Sequence, residues 1–345
     1  CRNGSENPGC GMSVSRRDFI RTAAIGAAGA ALAGPQLACS AGSHPPRRGL
    51  GNVFMEGDKP LLVVVEGTDL RKMLAAGLDA IGGLEKVVAG KSVVLKPNIV
   101  SVQPPPVTTD IEMVLAVAEQ ARTAGANSVT VCDACSSGVS TADKFKGLGY
   151  PSRLKEAGVA LDAVDFGDRM AHVFVSKENW SSHPTIGVVK TLHEADFIVN
   201  LPMIKRHGAS RFTCALKNHF GSVYFPLRQV AHRKLRSGDS GKEFFDRALA
   251  EFADSVRSEL NIVDGRSLLV RGGPNLSGRA EVKSGVNRII LCGDMLATDV
   301  YCAQLMQEHD GTFSPDMISV QLETAEKLGL GVGDLKNVAV KEIIA

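Results

Sequence analysis

Several features that mark common protein classes are scarce or missing in this 345-residue sequence. Basic and acidic residues nearly balance, with 39 Lys and Arg against 37 Asp and Glu. Nucleic-acid-binding proteins usually carry a basic surplus or a basic stripe, so we expect no nucleic-acid partner. No Gly-x-Gly-x-x-Gly sequence follows the early strands, which disfavours a nucleotide-binding oxidoreductase. With 44% hydrophobic residues, the chain is too apolar to be disordered.

Cysteine motifs for metal and cluster binding are also incomplete. Cys132-x-x-Cys135 is a single pair, and Cys214, Cys292 and Cys302 form no second one. Structural zinc sites and iron–sulfur clusters usually need about four ligands, so we expect no ferredoxin-type iron–sulfur module in this chain. The pair fits a disulfide, a redox couple, half of a metal site, or two small apolar residues at the end of a buried strand.

The first 38 residues have the order of a twin-arginine export signal. The pair Arg16-Arg17 precedes an uncharged run, rich in Ala and Gly, from Thr22 to Gly34. A run of about 13 residues is too short to span a bilayer of ~30 Å as a helix. We therefore predict that residues 1–38 are an N-terminal extension and signal peptide. The twin-arginine export machinery would then be a partner, and the protein would lie in the periplasm or outer cell envelope.

Cys39 follows the export segment and is a candidate lipidation site. It ends the sequence Gln-Leu-Ala-Cys, which resembles a bacterial lipoprotein cleavage site. Gln36 stands where an aliphatic residue is expected, so cleavage near Ala33 or Ala38 is the alternative. Residues 39–58 are predicted to form an exposed tether, and a lipid on Cys39 would be the only contact with a membrane.

From residue 59 onward, short β-branched runs alternate with amphipathic helical stretches. Strands are predicted near residues 61–65, 93–95, 128–131, 160–164, 196–201, 260–263, 287–292 and 337–343. Helices are predicted near residues 210–219, 242–258, 295–307 and 316–327. This alternation predicts a three-layer α/β domain over residues 59–345, with a mostly parallel sheet and helices on both faces.

Polar residues follow four of the predicted strands, at the sheet edge where ligands of parallel sheets gather. The clusters are Lys96 with Asn98, Asp133 with Cys132 and Cys135, Asn200 with Lys205, Arg206 and His207, and Asp264. The segment Lys217-Asn218 comes shortly after the third cluster. These positions are the candidates for a ligand site.

The basic and amide side chains predict a site for an anionic small molecule. Lysines would act as point charges, an arginine as a fork for carboxylate or phosphate, and asparagines as orienting donors. The ligand-binding candidates are Lys96, Asn98, Asn200, Arg206 and Asn218. The catalytic candidates are His207, Lys205 and Lys217, with His207 as a general base or a metal ligand. The alternative is that all are ordinary polar residues on loops and a helix surface.

Acidic residues at or beyond strand ends are candidate ligands for a divalent metal. They are Asp133, Asp264 and Asp299. Carboxylates suit Mg or Ca, and His207 would shift the choice toward Zn, Fe or Mn. Their spacing matches no known metal motif, and Asp299 is equally well explained as a residue near a helix N-terminus. The cofactor is therefore unknown, with a divalent metal as one candidate.

The same positions carry a family resemblance. Its segments are Leu95-Lys96-Pro97-Asn98, Asp133-x-x-x-Ser137-Gly138, the block from Asn200-Leu201-Pro202 to Lys217-Asn218-x-Phe220-Gly221, Val263-Asp264-Gly265 and Ala297-Thr298-Asp299. Over roughly residues 60–340 the chain resembles the bacterial and archaeal family called domain of unknown function 362. The resemblance implies a fold and a set of positions rather than a reaction. Many members carry a ferredoxin-like module that this chain lacks, and a remote similarity to the lactate racemase fold transfers no residue.

Three hypotheses about function follow from these patterns. Export in the folded state, together with the strand-end clusters, favours a cofactor- or metal-dependent enzyme that acts on an anionic small molecule. The second hypothesis is a non-catalytic envelope lipoprotein that binds an anionic ligand or a partner protein. The third is a thiol redox protein that uses Cys132 and Cys135.

Overall fold

The computed structural model describes residues 44–135 and 139–345. The strands are β1 Met55–Glu56, β2 Lys59–Glu66, β3 Ser92–Pro97, β4 Ser128–Asp133, β5 Ala160–Ala163, β6 His172–Val175, β7 Ile186–Val189, β8 Phe197–Leu201, β9 Met203–His207, β10 Arg211–Thr213, β11 Leu260–Val270, β12 Glu281–Lys283, β13 Arg288–Cys292 and β14 Ala339–Ile344. The helices are α1 Leu70–Ala80, α2 Glu85–Val88, α3 Ile111–Thr123, α4 Thr141–Gly147, α5 Tyr150–Glu156, α6 Lys190–His193, α7 Ala215–Asn218, α8 Phe225–Lys234, α9 Gly238–Val256, α10 Met295–His309 and α11 Ser319–Lys327. The predicted signal peptide, Cys39, Ser137 and Gly138 lie outside the described residues.

A large sheet with the order β14–β2–β13–β11–β8–β3–β4–β5 forms the middle layer. β13 runs antiparallel to both of its neighbours in this path, β11 and β2. Every other pair in the path is parallel. The predicted α/β class with a mostly parallel sheet is therefore confirmed.

Alternate residues of the central strands bury against opposite helical layers. In β2, Val63 and Val65 share a core with residues of α1 and α3. Leu62 and Val64, which point the other way, share a core with residues of α10. This two-residue alternation in an apolar strand places helices on both faces of the sheet, as the sequence predicts.

β11 is eleven residues long, and its second half extends beyond the strand β8 that pairs with its first half. There β9 takes over as the parallel neighbour of β11, and β10 folds back antiparallel onto β9. The helix predicted over residues 210–219 is therefore wrong in its first half, because Phe212 and Thr213 are extended and buried opposite β9. Only the four residues of α7 are helical in that segment.

Residues 44–58 were predicted to belong to an exposed tether, but part of this segment contacts the domain. Arg47 is only 8% exposed. Its guanidinium donates to three backbone carbonyls and lies 2.7 Å from Glu259 Oε1. A buried carboxylate needs a partner, which explains why this Pro- and Arg-rich segment packs against the sheet. Among residues 44–135 and 139–345, no helix combines the length and apolar character that crossing a bilayer requires.

Candidate functional site

Most of the predicted ligand residues meet at the carboxyl edge of β3, β4 and β8. Parallel strands end at the same edge, and Lys96 pairs in register with Asn200 of the neighbouring strand. The hydrogen bonds described below join Lys96, Asn98, Asp133, Asn200, Lys205 and Asn218, with Lys217 on the same short helix as Asn218. The structure thus gathers residues that are up to about 120 positions apart in the sequence.

A chain of buried amides runs through the centre of this site. Lys205 Nζ donates to Asn98 Oδ1 (2.5 Å), and Asn98 Nδ2 donates to Asn218 Oδ1 (2.8 Å). Asn218 Nδ2 donates to Asn200 Oδ1 (2.7 Å), and Asn200 Nδ2 donates to Asn261 Oδ1 (2.9 Å). Because each amide accepts on its oxygen and donates from its nitrogen, the chain fixes the orientation of every member. The sequence interpretation missed Asn261, although a polar residue inside an apolar strand was an available signal.

Lys205 anchors one end of the amide chain and is fully covered. Its Nζ also donates to the carbonyl of Val107 (2.6 Å). Burial, and then the charge of Lys217, lower the pKa of Lys205 well below its usual range. The two hydrogen bonds need only two N–H groups, which the amine has in either protonation state. Lys205, a catalytic candidate, is therefore placed to hold the network rather than to meet a ligand.

Lys96 and Asp133 form a buried ion pair beside Gly221. Lys96 Nζ lies 2.9 Å from Asp133 Oδ1, and the Ile99 N–H donates to the other carboxylate oxygen (3.2 Å). Burial raises the pKa of Asp133, and the Lys96 charge opposes that shift. A Cβ on Gly221 would lie 2.5 Å from Asp133 Oδ1 and 3.1 Å from Lys96 Nζ. The close approach of the chain to this ion pair therefore requires glycine.

Lys217 differs from Lys96 and Lys205 because no described residue is a polar partner of its amine. Among the described residues, none makes a hydrogen bond or an ion pair with Lys217, whose Nζ lies 4.1 Å from the centre of the Phe220 ring. It keeps 9% of its surface exposed, whereas Lys96 and Lys205 keep none. Burial, followed by the charges of Arg228 and Lys96, lowers the pKa of Lys217 to about 7.

Arg228, on α8, is a second buried cation with unused donors. It is 1% exposed, and its Nη1 donates to the carbonyls of Ala134 (2.9 Å) and Cys135 (3.3 Å). Its Nε and Nη2 are buried without a partner among the described residues. Burial lowers the pKa of Arg228 to about 10. The sequence interpretation missed this residue, because nothing in a single arginine on a helical segment distinguishes it from a solvated one.

Three of these groups form what we call the cation cluster, defined as Lys96, Lys217 and Arg228. Within the described part of the chain, Asp133 is the one carboxylate whose charge acts on two of them, Lys96 and Arg228. Buried charge is costly unless it is paired, so this arrangement carries an excess of positive charge that an anion would balance.

His207 lies at the end of β9 and is half-buried. Its Nδ1 accepts hydrogen bonds from the backbone N–H groups of Ala209 (3.0 Å) and Ser210 (3.2 Å). Burial, and then the charges of Lys217 and Lys205, lower the pKa of His207 well below its usual range. Because Nδ1 accepts from two backbone N–H groups, it carries no proton, which leaves Nε2 as the protonated nitrogen of the ring. This arrangement fits a hydrogen-bond donor better than the general base that we predicted.

Arg206 is not part of the site, although the sequence placed it among the ligand-binding residues. Successive side chains of a strand point to opposite sides, so Arg206 faces away from its neighbours Lys205 and His207. Its Nη1 lies 3.2 Å from Asp310 Oδ2, and its guanidinium lies 5.0 Å from the centre of the Phe313 ring. The sequence analysis predicts no strand over residues 203–207, so the alternation of a strand could not be applied to them.

The three predicted metal ligands are not brought together. In the described residues, no group of three or more His, Cys, Asp or Glu side chains is placed to hold a metal ion. Asp133 is paired as described above, and Asp264 pairs with Arg266 (2.7 Å). Asp299, on α10, accepts from the backbone N–H of Leu216 (3.3 Å) in the first turn of α7, the helix that carries Lys217.

Cys132 and Cys135 are both buried and unpaired. Burial is the largest cause that raises the pKa of each thiol above its usual value. The thiolate is the reactive form of cysteine, so a raised pKa and lack of exposure disfavour redox chemistry at this pair. The structure agrees with the interpretation of two small apolar residues at the end of a buried strand.

Comparisons with known proteins identify a family that this chain resembles. Residues 93–304 match the model of the family described as Domain of unknown function (DUF362). A thylakoid-associated protein of Synechocystis sp. is 28% identical over 269 residues, which are 77% of each chain.

Two solved structures are similar in outline. The lactate racemase apoprotein from Thermoanaerobacterium thermosaccharolyticum has a TM-score of 0.48 and 12% identity, over 76% of this chain and 58% of that one. A protein from Thermotoga maritima has a TM-score of 0.41 and 13% identity, over 76% of this chain and 60% of that one. This chain thus covers less than two thirds of either solved structure. The family model, in contrast, spans more than half of this sequence and includes every residue of the cation cluster, so the chain belongs to the DUF362 family.

Proposed function

We propose that this protein is an enzyme that binds a small molecule carrying a carboxylate or phosphate, with the anionic group held by Arg228 and Lys217. One observation carries the proposal. Arg228 is buried with two nitrogen donors unused among the described residues, and its charge acts on Lys217, a buried lysine that has no polar partner there. We call these two side chains together the proposed anion site.

The energetics of buried donors favour an anion at this place. A buried N–H without a partner costs about 1–3 kcal/mol, and more when the group is charged. An oxyanion can accept from Nε and Nη2 of one guanidinium together, in the fork geometry that arginine offers. The anion would also favour the charged form of Lys217, which the neighbouring cations Arg228 and Lys96 disfavour.

Two features support catalysis in addition to binding. Lys217, with a pKa of about 7, can gain or lose a proton near neutral pH, which is what an acid–base group requires. His207 presents an Nε2–H donor close enough to be influenced by the Lys217 charge. A site that only held anions would gain from a lysine that stays protonated. Elemental analysis of the purified full chain would test the metal-dependent form of this proposal.

The binding step is tested by thermal unfolding of the full chain with inorganic phosphate and with malonate, at constant ionic strength set by chloride. We expect the Tm of the natural protein to rise with phosphate or malonate concentration. Arg228→Met and Lys217→Met should lose this rise, while Lys72→Met, on an exposed position, should keep it. Circular dichroism of each variant checks that it is folded. An equal rise in all four proteins would contradict the proposal.

Export through the twin-arginine pathway is a separate part of the proposal. Its support is the pair Arg16-Arg17 before an uncharged run, and a relative named for its association with thylakoid membranes. Replacing both arginines by lysine in a bacterial host should move the protein from the periplasmic to the cytoplasmic fraction. A natural protein that stays cytoplasmic would contradict export. Metabolic labelling with palmitate, compared between the natural protein and Cys39→Ala, tests lipidation.

A further inference from the structure

The three buried lysines of the site differ in what their amines can do. Lys96 Nζ is engaged by Asp133, and Lys205 Nζ makes two short hydrogen bonds. Both are completely covered. Lys217 is the one of the three with accessible surface, and no acceptor among the described residues engages its amine. A ligand can therefore reach this amine without first breaking a hydrogen bond or an ion pair.

The surroundings of Lys217 match those of lysines that act as nucleophiles. A lysine becomes a nucleophile when its amine is neutral, which requires desolvation or a neighbouring cation. Lys217 has both, because it is buried against Phe220 and near the charges of Arg228 and Lys96. The amine then has a free lone pair, and the described residues offer it no proton donor as a partner.

We propose that Lys217 forms an imine with the carbonyl carbon of a small 2-oxo acid, whose carboxylate is bound by Nε and Nη2 of Arg228, which have no partner among the described residues. This inference rests on the proposed function, because it uses the same anion site and names its substrate class.

The step is balanced without any oxidant or reductant. The Nζ lone pair forms a C–N bond to the carbonyl carbon, and the carbonyl oxygen takes up a proton to give a carbinolamine. The carbinolamine then loses its hydroxyl group together with the remaining amine proton as water. One C=N bond and one water molecule replace the C=O bond and the two N–H bonds of the amine. The reaction class is amine–carbonyl condensation.

Reductive trapping of the full chain tests the imine. The protein is incubated with glyoxylate or pyruvate and sodium borohydride, and the modified residue is identified by peptide mass mapping. We expect one major adduct, on Lys217, as a carboxymethyl group from glyoxylate or a 1-carboxyethyl group from pyruvate. Lys217→Arg keeps the positive charge and should lose this adduct, leaving only the slow background of exposed lysines.

Arg228→Met provides the matched test of carboxylate recognition. Charged hydrogen bonds contribute about 1.5–3 kcal/mol, so this variant should need about tenfold or more 2-oxo acid for half-maximal trapping. Mapping of the adduct in the natural protein keeps the test valid even where a variant folds poorly. Phosphate-dependent stabilisation without a Lys217 adduct would overturn the imine and leave the anion site standing. If the natural protein shows neither phosphate-dependent stabilisation nor a Lys217 adduct, the proposed function is overturned as well.

Discussion

The substitution Asp133→Asn should weaken the fold and strengthen anion binding at the same time. It removes the carboxylate that faces the cation cluster while keeping the shape of the side chain. Asp133 is 2% exposed, and its partner Lys96 is fully buried with 2.9 Å between Nζ and Oδ1. Breaking a buried ion pair by removing one partner costs about 3–5 kcal/mol, because the other charge is left unpaired. Asn can still accept from the Ile99 N–H, so we expect the lower end, about 3 kcal/mol.

The effect on anion binding has the opposite sign. For an assumed separation of ~8 Å and an effective dielectric constant of ~20, a carboxylate and an anion repel each other by about 2 kcal/mol. Removing Asp133 should therefore tighten phosphate binding by about tenfold or more. The free energy of unfolding is measured by urea denaturation, and the phosphate affinity by calorimetric titration.

Two results would refute this reasoning. If Asp133→Asn lowers stability and phosphate affinity together, Asp133 does not act as the charge that opposes an anion. If the double variant Lys96→Met with Asp133→Leu loses as much stability as the single variant, the cost is one of packing rather than of an unpaired charge.

Three further predictions concern Gly221, Asp299 and the pair Cys132 and Cys135. Gly221→Ala should cost about 1–3 kcal/mol by crowding the buried ion pair, whereas Gly311→Ala, with no atom within 4 Å of its new Cβ, should change little in urea denaturation. Burial raises the pKa of the Asp299 carboxyl to about 7, above its ordinary 3.8, so the stability that its protonated form contributes is lost as pH rises from about 4 to 7. The free energy of unfolding of Asp299→Asn, relative to that of the natural protein, should therefore grow over this pH range. A difference that stays constant with pH would contradict this prediction. Cys132 and Cys135 should react with a thiol reagent only after unfolding, and rapid labelling of the native protein would revive the redox hypothesis.

The layers of the fold could be predicted because they depend on short-range patterns of apolar residues in the sequence. Apolar runs such as Leu61–Val65 alternate with amphipathic helices, and this pattern determines a parallel sheet covered on both sides. The gathering of Lys96, Asn98 and Asn200 was predictable for a related reason. Parallel strands end at one edge, so residues that follow them meet there without any further information.

The errors came from positions where side-chain direction or distant partners decide the outcome. Arg206 follows a predicted strand, but it lies in a further strand, β9, in which its side chain points away from Lys205 and His207. Arg47 lies in the segment predicted as an exposed tether, and its partner Glu259 is more than 200 residues away in the sequence. Arg228 was missed because burial on a helix of modest amphipathicity depends on the whole fold. Pairing across such distances leaves no pattern in one sequence.

The central claim is that an anion occupies the site of Arg228 and Lys217, and proton uptake during binding tests it most directly. Calorimetric titration of phosphate at pH 8, in two buffers of different ionisation enthalpy, measures that uptake. An anion should raise the pKa of Lys217 from about 7, so we expect the natural protein to take up protons on binding and Lys217→Met to take up markedly fewer. Binding with equal proton uptake in both proteins, or no binding to the natural protein, would contradict the claim.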